Sequence, residues 1–354
     1  MSIQIVELSG TPYQRGKQYG IAVRDEINKY LNDGFLRVNR IRTQALSISA
    51  MNECLETYLD VLKDKVPDLL LELEGLADGA GITRLQALAF QYRRELIGIN
   101  AQPDSQKVVG DCTTFAVNAD NSHLLGQTVD QDGLISEFAT VLKIKSADPA
   151  APEILMFSFV GMLGYLGINS FGVGVCINLL TTNVVAKGVS PYLLVREMLN
   201  CRSAEEAVAR IRKLPKATAR AFTIVDKFGI TCCEFTTDSF YSWQPEGDFF
   251  RANHFLHSAL IPDDRLNIFS RNGSLKRQEL MAQGIRKEGT SVDACFSVFS
   301  DHSLFPVGLC AHAQGDYRRP DTVAAVMLNP SEGTLWVCKG HPCESQPVRF
   351  QIGC

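Results

Sequence analysis

The hydrophobic pattern of this 354-residue chain changes near residue 110, and this change constrains the fold more than any other feature. Before it, apolar residues recur at helical spacing, as at Leu55, Leu59 and Leu62. After it, short runs of alternating or continuous apolar residues predict strands. The segment 101–110 between the two parts is polar and contains proline and glycine, which predicts an exposed linker.

The predicted strands occur in groups that are interrupted by paired helices. This arrangement favours antiparallel sheets covered by helices over a regular series of β-α-β units. Composition and periodicity alone indicate only a mixed α and β protein. The predicted strands are 3–8, 114–117, 124–128, 140–145, 154–159, 173–180, 221–225, 230–235, 323–328 and 335–339.

Capping residues predict where several helices begin. Thr11 with Gln14 three residues later is typical of a capping box. Asp68 is predicted to cap a further helix in the first third of the chain. A long helix is predicted over about 264–287, with a break at Asn272-Gly273.

The charge balance excludes some classes of partner. The chain has 35 basic and 39 acidic residues, a net charge of −4, which predicts no surface for nucleic acid or an anionic membrane. No apolar stretch approaches the roughly 18 residues of a membrane span, and the first residues do not resemble a secretion signal. We therefore expect a cytoplasmic protein without nucleic-acid or membrane partners.

Eleven cysteines, without regular spacing or a secretion signal, predict a chain without a disulfide framework. Cys338, His341 and Cys343 offer three possible metal ligands, but their spacing fits no zinc module that we know. No fourth candidate ligand lies near them in the sequence. We therefore expect ordinary loop packing there, and neither a metal nor a cofactor.

Several motifs, in a shared order, carry a resemblance to a known family. They are Gly10-Thr11-Pro12 with Gly16 and Gly20, Asp111-Cys112-Thr113-Thr114, the run 125–130 that ends at Asp130, the segment from Gly167 to Asn178, Glu234-Phe235-Thr236 and Asn253-His254. Together they span about residues 10–340 and resemble the acyl-coenzyme A:6-aminopenicillanic acid acyltransferase family. This family is a cysteine branch of the N-terminal-nucleophile hydrolases.

The resemblance implies an α+β fold, the αββα four-layer sandwich of two antiparallel sheets covered by helices. It also implies a zymogen that cleaves itself between Asp111 and Cys112. Residues 1–111 would become a helix-rich α-subunit and residues 112–354 a β-subunit, and both would remain associated in one domain. The substrates would be a small-molecule acyl donor and water or an amine, and a coenzyme A thioester is one possible donor.

The expected chemistry begins at Cys112. A free cysteine is mostly protonated at neutral pH and needs a nearby base. Cleavage would release an α-amino group, with a reference pKa near 8, beside the thiol. Before cleavage the same thiol would attack the carbonyl of Asp111 and form a thioester, which water hydrolyses.

The resemblance also suggests roles for other residues. The carboxylate of Asp130 would orient the new amino terminus, while Asn178 and Asn253 would donate hydrogen bonds to a tetrahedral oxyanion. Supporting roles are expected for Thr113, Thr114 and Thr236.

Two residues depart from the penicillin acyltransferases. Those enzymes have glycine before the nucleophile, where this chain has Asp111. They also have a Cys-Arg pair where this chain has Cys310-Ala311, so a guanidinium near the nucleophile would be missing. Arg318 or Arg319 could replace it from the following loop, although we expect both to be solvated.

Three hypotheses remain at this stage. The first is an autoproteolytic amide hydrolase or acyltransferase, and hydrolysis is preferred because it needs no second binding site. The second is a non-catalytic member of the same fold, which Asp111 and Ala311 favour. The third is a conventional cysteine hydrolase with a histidine base such as His254 or His257.

Overall fold

A computed structural model describes residues 3–98, 112–119, 122–305 and 308–353. The predicted cleavage site at Asp111 and the linker before it lie outside the described residues. The strands are β1 Gln4–Gly10, β2 Thr113–Ala119, β3 Ser122–Gln131, β4 Ala139–Ser146, β5 Ile154–Phe159, β6 Leu166–Asn169, β7 Gly174–Leu179, β8 Arg220–Asp226, β9 Gly229–Phe235, β10 Phe240–Trp243, β11 Phe249–Arg251, β12 Asp321–Asn329, β13 Thr334–Lys339 and β14 Val348–Gln351.

These strands form two sheets. The first sheet has the order β1-β4-β5-β6-β7-β8-β9-β10, and the second has the order β11-β2-β3-β12-β13-β14. All neighbouring strands are antiparallel except β1 and β4, which are parallel. The sheets pack face to face, and the side chain of Gln127 joins them. Its amide donates to the backbone carbonyl of Ile177 at 2.8 Å and accepts from the backbone N–H of Ile177 at 3.2 Å.

Helices cover the outer face of each sheet. α8 and α9 pack on the first sheet, whereas α10 and α11 pack on the second. The predicted αββα sandwich is therefore confirmed. The helices are α1 Pro12–Ala22, α2 Arg24–Asn32, α3 Val38–Ile41, α4 Ile48–Lys65, α5 Pro67–Ala80, α6 Arg84–Gln91, α7 Arg93–Gly98, α8 Pro191–Met198, α9 Ala204–Arg212, α10 Ile268–Glu288 and α11 Val292–Phe299.

Glycines bring helices α1 and α5 unusually close together. A Cβ atom at Gly16 would lie 1.9 Å from the carbonyl oxygen of Glu72, and one at Gly20 would lie 2.3 Å from that of Leu76. The facing Gly75 would meet the α1 backbone in the same way, 2.1 Å from the Tyr13 oxygen. Only glycine permits this backbone contact, which accounts for the two glycines of the opening motif.

The N-terminal part of the chain is built into the rest of the fold. β1 pairs with β4 over seven residues and so forms the edge of the first sheet. The buried carboxylate of Glu72 joins three helices, because it accepts from Arg15 on α1 at 2.9 Å and from Arg196 on α8 at 3.0 Å. The Tyr19 hydroxyl donates to the Phe159 carbonyl at 3.1 Å.

Local predictions had mixed outcomes. The capping box of Thr11 and Gln14 is confirmed. The Asp68 cap is wrong, since α5 starts at Pro67 and places Asp68 inside its first turn. The predicted break at Asn272-Gly273 is also wrong, because α10 continues through it. A glycine inside a helix costs only about 1 kcal/mol, and packing against the second sheet outweighs this.

Within the described residues, no helix combines the length and the apolar character that crossing a membrane would require.

Candidate active site

Cys112 lies directly before β2, which pairs with β11 and β3 in the second sheet. Its side chain is buried. The Cys112 thiol lies against the backbone of Asp130 on β3, where it donates to the carbonyl at 3.5 Å and accepts from the N–H at 3.4 Å. The antiparallel pairing of β2 with β3 positions these two residues, eighteen apart in the sequence.

Asn178 and Thr114 form a hydrogen-bonded unit beside Cys112, across the interface between the sheets. The amide of Asn178 on β7 donates to the backbone carbonyl of Cys112 at 3.1 Å. Its carbonyl oxygen accepts from the Thr114 hydroxyl at 2.8 Å. Both residues are fully buried, so these bonds hold Cys112 in a fixed position relative to the first sheet.

Arg277 reaches the same point from α10. Its guanidinium donates to the Cys112 carbonyl at 3.3 Å, to the Thr113 hydroxyl at 2.8 Å and to the amide oxygen of Asn253 at 3.2 Å. The side chain is buried. A guanidinium is therefore present beside Cys112, and the expectation that Ala311 leaves this place without one is wrong.

Arg277 was not predicted from the sequence, although a signal was present. The buried face of α10 consists of Ser274, Arg277, Met281 and Ile285, at helical spacing. An arginine within such a stripe indicates a buried partner.

Asn253 follows β11 and is fully buried. Besides accepting from Arg277, it donates through its side-chain amide to the Leu179 carbonyl at 3.1 Å. Its backbone N–H donates to the hydroxyl of Ser274 at 2.8 Å, and that oxygen lies 2.8 Å from Nδ1 of His254. The structure therefore brings Asn178 and Asn253 to Cys112 through shared partners.

Asp130 connects Cys112 to β12 and to the loop before it. One carboxylate oxygen of Asp130 accepts from the hydroxyl of Thr322 at 2.6 Å. The same hydroxyl oxygen accepts from the backbone N–H of Ala311 at 2.7 Å. Ala311 thus contributes its backbone, not a side chain, to the surroundings of the site.

A small cavity borders the Cys112 thiol. Its wall contains one residue from the N-terminal helices, Arg94 on α7, as well as residues from both sheets and from α8. The hydroxyl of Tyr165 accepts from the Gln131 amide at 2.6 Å within it. The residues that line the cavity are Arg94, Cys112, Gln131, Tyr165, Ile177, Leu179, Tyr192 and Arg220.

A buried carboxylate anchors one side of this cavity. Asp132 accepts from Arg94 at 2.8 Å and from Arg93 at 3.3 Å. Burial alone would raise the pKa of Asp132, but the charges of the two arginines hold it below its usual range. Asp132 is therefore ionised at neutral pH and fixes α7 against the end of β3.

The protonation of Cys112 follows from its burial. Burial raises the pKa of the Cys112 thiol to about 11, and the negative charge of Asp130 adds to the rise. Arg277 and the Asp130 N–H oppose it without cancelling it. Only about one thiol in 10⁴ would be ionised at pH 7.

Thr236 occupies a turn rather than the Cys112 cavity. Its hydroxyl accepts from the backbone N–H groups of Asp238 and Ser239 at 3.2 and 3.1 Å, between β9 and β10. The neighbouring Glu234 is fully buried and accepts from Arg251 at 3.0 Å and from the His257 N–H at 2.9 Å. This motif therefore organises the chain that leads to Asn253.

The two histidines of the third hypothesis have other partners. Nδ1 of His254 lies against Ser274, and the ring of His257 stacks on Tyr241 at 4.2 Å. Burial lowers the pKa of His254 to about 4. Among the described residues that line the cavity there is no histidine. Arg318 and Arg319 are exposed, as expected.

The fold and the residues around Cys112 define the class of protein. Two sheets, antiparallel except for the β1–β4 pair, lie between helical layers, and a cysteine stands directly before a strand of the second sheet. This is the sandwich of the N-terminal-nucleophile hydrolases. The chain belongs to the acyl-coenzyme A:6-aminopenicillanic acid acyl-transferase family, whose model matches residues 117–344. It is an enzyme of the class that cleaves or forms amide bonds by acyl transfer.

Curated relatives carry both kinds of activity in their names. The chain is 26% identical over 331 residues to the 40 kDa form of the acyl-coenzyme A:6-aminopenicillanic-acid-acyltransferase of Emericella nidulans, which covers 88% of this chain and 86% of that protein. It is 24% identical over 242 residues to the β-alanyl-dopamine/carcinine hydrolase of Drosophila melanogaster, and this match covers 63% of this chain and 60% of that protein.

Solved structures with more distant sequences also match. A mutant conjugated bile acid hydrolase from Clostridium perfringens is 13% identical with a TM-score of 0.45, covering 68% of this chain and 92% of that chain. The penicillin V acylase from Agrobacterium tumefaciens is 11% identical with a TM-score of 0.45, and the match covers 68% of this chain and 86% of that chain.

Proposed function

We propose that this chain is an amide hydrolase that activates itself by cleaving the bond between Asp111 and Cys112, and then acts through an acyl thioester on Cys112. One observation carries the proposal. Cys112 is held by its carbonyl, through Asn178 and Arg277, while its thiol borders a cavity. Such fixation is what a nucleophile needs and what a core cysteine does not require.

The high pKa of the Cys112 thiol gives cleavage a chemical purpose. With a pKa of about 11, the intact chain holds a protonated thiol that is a poor nucleophile towards a separate substrate molecule. In self-cleavage the thiol would attack the adjoining Asp111 carbonyl within the same chain, and its proton would pass to the released α-amine. A new α-amino group at Cys112 would be attached to the same residue and could accept the thiol proton. The amine would then return the proton to the leaving amine of the substrate.

Asp130 is proposed to hold the new amino terminus. Both its backbone carbonyl and its backbone N–H contact the thiol in the intact chain, and Thr322 orients its carboxylate. An ammonium group beside this carboxylate would form a charge-assisted hydrogen bond. Thr113 and Thr114 would keep the start of β2 in place through Arg277 and Asn178.

The oxyanion donors are proposed to be the amides of Asn178 and Asn253. In the intact chain the Asn178 amide donates to the Cys112 carbonyl, and the Asn253 amide donates to Leu179. Donation to a substrate oxyanion would replace these bonds. Arg277 would then act as a positioning residue, because it fixes the carbonyl end of Asn253.

The two products of cleavage are proposed to remain one particle. β1 pairs along the whole of its length with β4, and Glu72 and Asp132 connect the N-terminal helices to later parts of the chain. The cavity wall also needs Arg94 from the N-terminal part.

The test is intact-mass analysis with N-terminal sequencing of the purified chain, with a Cys112→Ala variant. Cys176→Ala is the matched control, since Cys176 is another buried cysteine, on β7 of the first sheet. We expect fragments 1–111 and 112–354 from the wild type and the control, and a single chain from Cys112→Ala. An intact wild-type chain that also fails to react with an acyl probe would favour the non-catalytic hypothesis.

Acyl transfer from a coenzyme A thioester to an amine is the second candidate. The E. nidulans relative, which the chain matches over most of its length, is named for such a transfer. The processed protein should be offered N-acyl amines in water, and acyl-coenzyme A with small amines. Release of free amine in the first assay supports hydrolysis; release of coenzyme A that depends on the added amine, without hydrolysis in the first assay, would replace it with transfer.

A further inference from the structure

Four side chains with nitrogen or sulfur ligand atoms converge outside the Cys112 cavity. They come from the loop between α11 and β12 and from the loop after β13. The ligand atoms of all four lie within 4.8 Å of one another. The residues are His302, Cys310, His312 and Cys343.

Four of the six separations within this Cys₂His₂ group are close to those around a single tetrahedral ion, and the other two, from His302 to each sulfur, are within 4.8 Å. For zinc bonds of about 2.3 Å to sulfur and about 2.0 Å to nitrogen, tetrahedral edges are about 3.8 Å for S–S, about 3.5 Å for S–N and about 3.3 Å for N–N. The two sulfurs lie 3.7 Å apart, and each lies 3.5 Å from Nε2 of His312. Nε2 of His302 lies 3.0 Å from Nε2 of His312.

We propose that the Cys₂His₂ group binds one Zn²⁺ ion with a structural role. Thiolate and imidazole ligands favour zinc over calcium or magnesium, which prefer oxygen ligands. Four protein ligands complete the coordination and leave no open position for catalysis. On binding, Cys310 and Cys343 each lose the thiol proton to solvent, and each sulfur forms a bond to the metal.

His341 and Asp321 contact the Cys₂His₂ group without belonging to it. The ring of His341 lies on that of His312, with centroids 3.8 Å apart. Nε2 of His341 lies 3.0 Å from the Asp321 carboxylate, which also accepts from the backbone N–H of Ala313 at 3.0 Å. These contacts orient the His312 loop, as outer partners of metal ligands commonly do.

This set differs from the one weighed in the sequence. Cys338 donates to the Ser345 carbonyl at 3.4 Å and does not belong to the group. Cys343 does belong to it, and its partners come from more than thirty residues earlier in the chain. The tertiary structure, rather than a regular spacing in the sequence, brings these ligands together.

The ion would stabilise a loop that supports Cys112. Ala311, between two ligands, donates through its N–H to Thr322, whose hydroxyl in turn donates to Asp130. Asp130 contacts the Cys112 thiol. The proposal does not depend on catalysis, since a zinc site can be present in an active or an inactive chain.

A disulfide between Cys310 and Cys343 is the competing use of the two sulfurs. A disulfide requires about 2.05 Å between them, much less than the 3.7 Å present, although a small movement could close this gap. The two possibilities exclude each other, because a disulfide sulfur has no thiolate to bind zinc.

The test is metal analysis of the full-length chain, purified without chelators, by inductively coupled plasma mass spectrometry. We expect about one zinc per chain in the wild type, and at least a tenfold loss in Cys310→Ser and Cys343→Ser. Cys54→Ser on α4 is the matched control and should keep its zinc. Equal zinc content in the wild type and both variants, or a wild type without zinc after addition of Zn²⁺, would overturn the proposal.

A second measurement covers the case in which the variants fail to fold. Wild-type protein stripped by a chelator should bind one Co²⁺ and show the intense visible absorption of a tetrahedral thiolate complex, which Zn²⁺ then abolishes. Peptide mapping without reduction should find no Cys310–Cys343 disulfide. A weak octahedral cobalt spectrum, or that disulfide in freshly purified protein, would contradict the site.

Discussion

Arg277 brings a positive charge to Cys112 from a helix 165 residues later in the chain. It satisfies three acceptors at once, the Cys112 carbonyl, the Thr113 hydroxyl and the Asn253 amide oxygen. Its nearby charge also opposes the rise in the Cys112 pKa. One residue therefore supports both the position and the ionisation of the thiol.

Replacement of Arg277 should impair cleavage far more than replacement of a surface arginine. We expect Arg277→Met to slow the appearance of fragment 112–354 by on the order of 100-fold, because hydrogen-bond donors around the reacting residue are lost. Arg318→Met, at an exposed position, is the control and should leave the rate unchanged. The rate is measured by intact mass over time after synthesis, and equal rates would refute the role given to Arg277.

His254 should make the intact chain less stable in acid. Its pKa is about 4 in the folded chain, against about 6.5 for an unfolded histidine. The unfolded state therefore binds the proton first, and stability is lost as the pH falls from about 6.5 towards 4. The loss between pH 7 and pH 4.5 should be about 2 kcal/mol.

The measurement is denaturant unfolding at several pH values in a Cys112→Ala background, which keeps the chain in one piece. His254→Asn, which can still accept from Ser274, should reduce the acid dependence by about this amount. If His254→Asn loses as much stability between pH 7 and pH 4.5 as the parent chain does, another group causes that loss.

At the scale of elements, the contact of α1 with α5 depends on the absence of side chains. Helix propensity alone predicts that Gly16→Ala stabilises the chain by about 1 kcal/mol. The new Cβ would instead lie 1.9 Å from the Glu72 carbonyl oxygen, so the helices would have to separate. We expect Gly16→Ala to lower the free energy of unfolding by about 1–3 kcal/mol.

Gly98→Ala on α7 is the matched control, since among the described residues its Cβ would meet nothing closer than a methyl group of Val185 at 3.8 Å. It should be neutral or slightly stabilising. Both variants are compared by denaturant unfolding in the Cys112→Ala background. A stabilising Gly16→Ala would mean that the close approach of the helices has no energetic weight.

On the scale of the whole molecule, the cleaved chain should behave as one particle. Fragments 1–111 and 112–354 should elute together in gel filtration, even at 1 M salt. High salt screens exposed charges but leaves the β1–β4 pairing and the buried Glu72 contacts in place. Separation should require denaturant, and elution of free 112–354 from native buffer would contradict this.

Features that depend on neighbours in the sequence were predictable. The helical spacing in the first hundred residues, the capping box at Thr11 and most strands follow from side-chain periodicity and local hydrogen bonding. The resemblance correctly predicted the sandwich. It also pointed to Cys112, Asp130, Asn178 and Asn253, which the fold brings into one network, although their roles in catalysis remain predictions.

By itself, the sequence determined most of the strands, the helical character of the first hundred residues and the family of the chain, because these are carried by local patterns and ordered motifs. Only the tertiary structure decided that Arg277 serves Cys112, that Gly16 lies against the α5 backbone, and that Cys310 and Cys343 meet. Each of these contacts joins residues far apart in the chain. Their proximity depends on how sheets and helices pack, and no local pattern encodes that distance.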